Sequence, residues 1–316
     1  MDGRRYASRM AEHITVDANG LSFHVVAAGE GEHLALCLHG FPASSASFRQ
    51  QLPLFERLGY RVWIPDLRGY GRSSRPQGIR AYTLEQLEGD VAALIDASGA
   101  KQVTLIGHDW GAVVAWGFAL GGLRRLERLI VFNVPHPALF QRGLRTLKQL
   151  RRSWYMLLFQ LPWLPERLLG AFGGYGIART VKTIAGDRVS FPAVLIEEYR
   201  KNALEPGALT AMLNYYRALP LDFFASRNRA YSTIHVPTLV VSSEDDPAVG
   251  KELFAGTERY VEQLTLRLLP GASHWLPDEH PAIVNPMIEA FLRDEPVPEV
   301  VTPLTAAAHL RSRAAL

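Results

Sequence analysis

The sequence predicts an α/β fold: a mostly parallel sheet of about eight strands, helices on both faces, and a helical segment inserted in the middle of the chain. Three observations predict it. Up to about Pro135, short apolar runs alternate with amphipathic helical stretches. Roughly 95 residues follow that are rich in Leu, Arg and aromatics and contain no clear strand. After His235-Val236-Pro237 the strand pattern returns. The division read from this is an α/β core of residues 1–137 and 233–316, carrying a helical cap over 138–232.

The elements follow in order. Ile14-Thr15-Val16 and the run from Leu21 to Ala27 read as a hairpin. Its turn is Asp17-Ala18-Asn19-Gly20, with Asn19-Gly20 as the hairpin signal. Leu34–Leu38, Arg61–Pro65, Val103–Ile106 and Leu129–Val134 are the next four strands. Thr83-Leu84-Glu85-Gln86 reads as a capping box opening a helix. Leu84, Leu87, Val91, Leu94 and Ile95 fall on one face of that helix. Thr238–Ser242 and Leu264–Leu269 supply the last two strands, and an amphipathic helix from Pro281 to Phe291 closes the core. The Pro- and Ala-rich tail after Pro296 is assigned no role.

Composition bounds the function. The 316 residues are 48% hydrophobic and 21% charged, an ordinary globular balance. The formal charge is +3, from 34 basic and 31 acidic residues, and no dense basic face alternates with aromatics, which disfavours nucleic-acid binding. Arg142, Arg145, Lys148, Arg151 and Arg152 fall at near-helical spacing and read as a solvated helix face. Cys37, the single cysteine, lies in an apolar strand and reads as a buried structural thiol. The N-terminus lacks a signal-peptide apolar stretch, and no apolar run reaches ~18 residues, so no integral membrane segment and a cytoplasmic setting are expected.

The most informative segment is Gly107-His108-Asp109-Trp110-Gly111. It follows the strand Val103–Ile106 and precedes the apolar stretch Ala112–Leu120. That is the strand, sharp turn and helix of a nucleophile elbow, written with Asp in place of Ser. A carboxylate, with a reference pKa of about 3.9, needs no base to act as a nucleophile at neutral pH. The substitution points to displacement at carbon. On its own, G-x-D-x-G also suits an N-capping Asp in an ordinary turn.

Three further segments add to it. His39-Gly40-Phe41-Pro42 ends a strand, and its Phe41 N–H together with that of Trp110 would form an oxyanion hole. His39 itself reads as a structural hydrogen-bonder. The acidic run Glu244-Asp245-Asp246 closes a late strand, and Asp246, just before Pro247, is the preferred acid over Glu244 and Asp245. His274, in the loop after the last strand, completes the chain order nucleophile, acid, base.

With these segments together, the chain from roughly Ile14 to Phe291 resembles the epoxide hydrolases of the α/β-hydrolase fold. The matching pieces are His39–Pro42, Asp66-Leu67-Arg68-Gly69-Tyr70-Gly71-Arg72-Ser73, the Asp elbow, Asn133-Val134-Pro135-His136-Pro137 and Gly271–Trp275. Two cap segments match as well. Ser153–Gln160 and Leu213–Arg217 resemble the segments that carry the family's two ring-opening tyrosines, placing these at Tyr155 and Tyr216. The chain departs from the family after Pro42, where relatives often carry an acidic residue and a tryptophan and this chain has Ala43-Ser44-Ser45-Ala46-Ser47-Phe48.

The resemblance implies an epoxide hydrolase converting a small apolar epoxide to a vicinal diol through an ester on Asp109. It implies neither a metal nor an organic cofactor, and it is compatible with a homodimer. Haloalkane dehalogenase is the nearest rival, but Phe41 offers no side-chain halide donor and the tyrosines have no duty in that reaction. Fluoroacetate dehalogenase prefers Arg where this chain has Trp110. Asp109 disfavours a serine-type esterase, and a non-enzymatic hydrolase-like receptor would not need Asp109, Asp246 and His274 together.

Overall fold

The computed structural model describes residues 11–185, 191–226 and 231–300. Eight strands form one sheet: β1 (Glu12–Ala18), β2 (Leu21–Ala28), β3 (His33–Leu38), β4 (Arg61–Pro65), β5 (Gln102–His108), β6 (Arg128–Phe132), β7 (Thr238–Ser243) and β8 (Leu264–Leu269). Their order is β1-β2-β4-β3-β5-β6-β7-β8. β1 pairs antiparallel with β2, and β2 antiparallel with β4. Every pair from β4 to β8 is parallel. Ala18 faces Leu21 across the first hairpin, leaving Asn19 and Gly20 at φ 51° and 71°, the left-handed pair that a two-residue turn requires.

Side chains of the central strands alternate between two apolar layers, as the pleat demands. On β3, Leu34, Leu36 and Leu38 enter one layer while Ala35 and Cys37 enter the other. On β6, Leu129 and Val131 face one way, Ile130 and Phe132 the other. Burial on both faces explains why these strands read as unbroken apolar runs. The first layer is covered by α2 (Leu84–Ser98) and α3 (Trp110–Gly121). The second is covered by α1 (Leu52–Arg57) and the closing helix Pro281–Leu292, which follows the short helix Leu276–Glu279. Each fully buried Leu or Val here stabilises by roughly 1.5–3 kcal/mol.

Between β6 and β7 lie α4 (Pro137–Gly143), α5 (Leu147–Arg152), α6 (Trp154–Leu158), α7 (Leu164–Ile184), α8 (Ala193–Leu204) and α9 (Ala208–Ser226). The two helices after β8 are then α10 and α11. Among the described residues no strand interrupts the segment between β6 and β7. Its α7 and α8 pack through Val181, Leu195 and Tyr199 onto Ala43 and Trp275 of the core. Ala43 is therefore an apolar contact.

Three expectations are corrected. The capping box at Thr83 does not form: Thr83 makes no side-chain cap, and the Leu84 N–H instead donates to Asp222 Oδ1 of α9 at 3.0 Å. β6 ends at Phe132, because Asn133 turns left-handed at φ 58°. The basic cluster is exposed in the main, as expected, yet it spans α4, the link at Arg145 and α5 rather than one helix.

A buried ion pair ties the first layer to its loops. Arg68 donates through Nε to Asp90 Oδ2 at 2.5 Å, and through a second nitrogen to Asp90 Oδ1. It also donates to the carbonyls of Ala81 at 2.5 Å and Gln86 at 3.0 Å. Asn19 adds a 2.9 Å bond to Asp90, and Tyr215 of α9 donates to the Arg68 carbonyl at 2.9 Å.

Candidate active site

The residues singled out from the sequence sit at the carboxyl ends of adjacent parallel strands. His39 to Phe41 follow β3, Asp109 follows β5, Asn133 follows β6, Asp246 follows β7 and His274 follows β8. The sheet order reverses between β3 and β5, since the chain passes from β3 outward to β4 and returns to β5 on the other side. Ligand crevices form outside the carboxyl ends of strands at such a switch point. Phe41 and Asp109 flank it.

The turn at Asp109 is as sharp as the sequence implied. Asp109 sits at φ 51°, ψ −121° as the N-terminal cap of α3, with its carboxylate turned away from its own helix. Two glycines allow this. A Cβ on Gly107 would stand 2.4 Å from the Gly111 carbonyl oxygen, and one on Gly111 would stand 2.0 Å from that of Leu38. The same crowding appears across the crevice, where a Cβ on Gly40 would stand 2.2 Å from Asp109 Oδ1. Gly40→Ala should therefore displace the carboxylate and lower turnover by about 10²-fold while circular dichroism stays native. Wild-type turnover by that variant would show that the position of Asp109 is not limiting.

Asp109 is held at both oxygens. The Phe41 N–H donates to Oδ1 at 2.6 Å, and His274 Nε2 lies 3.5 Å from Oδ2. Burial would raise its carboxyl pKa, but His274 and the Phe41 N–H outweigh burial and hold it below the ordinary value. The start of α3 favours the same negative charge. Trp110, first residue of α3, has its N–H among the helix's unsatisfied leading donors.

Behind His274 stands Asp246. His274 Nδ1 is 2.7 Å from Asp246 Oδ2, and Asp246 Oδ1 accepts the N–H groups of Ala248 at 2.8 Å and Val249 at 3.1 Å. Burial alone would raise the Asp246 carboxyl, but His274, Asn133 and the Ala248 N–H lower it. Burial would likewise lower His274, yet Asp246 and Asp109 on either side push it up to about 10. Glu244 and Asp245 are elsewhere: Glu244 pairs with Lys251 and Asp245 accepts the Gly271 N–H. His39 is a hydrogen-bonder, taking the Leu67 N–H on Nε2 at 3.1 Å.

Two supporting residues carried no assigned role in the sequence reading. Asn133 donates to Asp246 Oδ2 at 3.0 Å, beside the His274 bond. His108 Nε2 meets the His274 carbonyl at 2.7 Å, and burial pushes the His108 pKa down to about 4, so at neutral pH it is a neutral donor there. The left-handed turn after β6 was the available signal for Asn133, because Asn is among the residues that tolerate it.

Tyr155 on α6 and Tyr216 on α9 come together beside Phe41 and Trp110, near enough to Asp109 for its charge to act on both. Their rings are 6.0 Å apart, and Tyr216 stands edge-on to Phe41 at 5.6 Å and to Trp110 at 5.0 Å. Burial first and the charge of Asp109 next raise both phenol pKa values, so both are protonated donors at neutral pH. Their helices are fastened to each other. Arg217 donates to the carbonyls of Phe159 at 3.0 Å and Leu161 at 2.7 Å and pairs with Glu166 at 2.7 Å, while Gln160 donates to the Tyr216 carbonyl at 2.8 Å.

Residues 36–281 match the model of the α/β-hydrolase fold family, and the chain belongs to that family. It is an enzyme of the hydrolase class. It is 36% identical to the AB hydrolase superfamily protein YfhM of Bacillus subtilis, over 89% of this chain and 97% of that protein. It is also 36% identical to human epoxide hydrolase 4, over 90% of this chain and 79% of that one. Among solved structures, a variant of the Bacillus megaterium epoxide hydrolase in complex with its product, a naphthyloxy-propane-1,2-diol, superposes with a TM-score of 0.82 at 31% identity. That match covers 89% of this chain and all of the other. No helix among the described residues is long and apolar enough to cross a membrane.

Proposed function

We propose that this hydrolase opens a small apolar epoxide to a vicinal diol through a covalent ester on Asp109. The observation that carries the reading is the Asp109 carboxylate, gripped by Phe41 N–H and His274 near two protonated phenols. The epoxide hydrolases among its relatives, one of them solved with a diol product, support it. Residues 138–232 serve in this reading as a cap that supplies the phenols to a core of 1–137 and 233–316. The lone buried Cys37, whose thiol burial pushes well above its ordinary pKa, suits a reducing cytoplasm.

In the first step an Asp109 oxygen attacks an epoxide carbon and the carbon–oxygen bond of the ring breaks. Tyr155 and Tyr216 donate to the departing oxygen, and one phenol proton passes to it. In the second step His274, oriented by Asp246, takes a proton from a water that attacks the ester carbonyl. The Phe41 and Trp110 N–H groups hold the resulting oxyanion. As it collapses the ester carbon–oxygen bond breaks, and the proton of the acid so formed passes to the leaving diol oxygen. Asp109 returns as the carboxylate, and the proton held by His274 goes back to the tyrosinate.

A panel of aryl, aliphatic and fatty epoxides, assayed for diol beside haloalkanes, tests the reading. Diol from at least one apolar epoxide, undiminished by chelator, is expected; halide release without epoxide turnover would overturn it. Tyr155→Phe and Tyr216→Phe should each slow alkylation by about 10²–10⁴-fold, the usual range of a general acid. Wild-type single-turnover rates in both variants would remove the tyrosines from the reaction.

A further inference from the structure

We propose that the outer face of α5, α6 and the start of α7 docks on an anionic lipid surface. Leu147, Leu150, Trp154, Leu157 and Leu161 are spaced by three and four residues in turn, and all five are exposed, Leu147 at 74% and Leu157 at 72%. The spacing holds across the junction at Ser153, whose φ −93° and ψ 11° barely interrupt the helical path. The opposite side of the same path is inward, with Gln149, Ser153 and Phe159 buried. An apolar stripe of this kind normally faces a core. This one faces out, and Trp163, also exposed, extends it to α7.

The charge around the stripe identifies its partner. Residues 137–184 hold eight Lys and Arg and one acid, Glu166, a net +7 within a chain whose total is +3. Glu166 is already neutralised by Arg217. Among the described residues Arg142, Arg145 and Arg151 are exposed and have no carboxylate partner. Glu252 answers Lys148 at 3.0 Å, which leaves Arg142, Arg145 and Arg151 uncompensated, so two copies meeting through this face would oppose those like charges. An anionic bilayer answers them all: Trp and Leu enter the headgroup boundary, and the long Arg stems reach outward to lipid phosphates.

Flotation with vesicles tests this on the full chain. Binding to phosphatidylcholine vesicles containing phosphatidylglycerol is expected at about 0.1 M salt, with little binding to pure phosphatidylcholine and release at about 1 M salt. The triple variant Arg142→Gln, Arg145→Gln, Arg151→Gln should lose about 10²-fold in partitioning with an unchanged melting temperature, because each surface cation contributes several-fold. Leu157→Ser with Trp163→Ser should weaken binding although every charge remains. Equal binding to both vesicle types, or wild-type binding by the triple variant, would overturn the proposal. So would a lipid-free dimer that Leu157→Arg dissociates, which would assign the stripe to a second copy of the chain.

Discussion

His274→Gln should stop full turnover by about 10⁴-fold or more and still alkylate Asp109. In a serine hydrolase the base is needed at the outset, because a hydroxyl must lose its proton. Here the carboxylate needs no base to ionise, and the Phe41 N–H and the start of α3 still favour its charge when the imidazole is gone. Removing the imidazole thus spares the first bond and blocks the second step. Intact-protein mass spectrometry should show an adduct of the substrate's mass, and peptide mapping should place it on Asp109. Asp109→Asn should give no adduct. Rapid turnover by His274→Gln, or an adduct on another residue, would refute the mechanism.

The same pair sets an expected pH dependence. While Asp109 carries its charge, His274 sits between two anions and is pushed up to about 10 from an ordinary 6.5. Its charge stabilises the fold fully below the unfolded value, and that contribution is lost as pH rises through about 10. Ester formation removes one of the two anions, so His274 then releases its proton more readily and becomes a base. Alkylation should be flat between about pH 6 and 9, whereas ester hydrolysis should quicken with rising pH. Single-turnover measurements of the two steps at several pH values separate them.

Asp90→Ala should destabilise the fold by about 3–5 kcal/mol, measured as a shift in the denaturant midpoint at unchanged slope. The loss is large because both partners are inside, the Arg68 and Asp90 side chains being 3% and 7% exposed. Without Asp90 the guanidinium keeps the Ala81 and Gln86 carbonyls but loses its counter-charge. Replacing both residues with apolar ones of similar volume should cost far less than the single change. A near-neutral Asp90→Ala would mean that solvent reaches Arg68.

Much of the sheet was legible in the sequence because its determinants are local. Asn19-Gly20 fixes a turn by itself, and doubly buried strands such as Leu34–Leu38 announce themselves as apolar runs. The elbow was legible for the same reason, since Gly107 and Gly111 bracket Asp109 within five residues. Contacts distant in the chain were not. Nothing near Thr83 says that Asp222, on α9, caps α2. The support of Asp246 by Asn133 spans two strands that only the folded sheet brings together. Exposure was illegible too, since Leu147, Leu150 and Leu157 have the spacing of a core face.

Arg217 bonds to Phe159, Leu161 and Glu166 rather than to Asp109 or His274, and so fastens the strap that follows α6 to α9. Tyr155 and Tyr216 are thus mounted on one rigid piece. A displacement that keeps these bonds would carry the two phenols together. In the proposed reaction this linkage favours the arrival of both proton donors together over that of either one alone. Loosening Arg217 would make the two arrivals independent, and the chemistry would then wait on their coincidence.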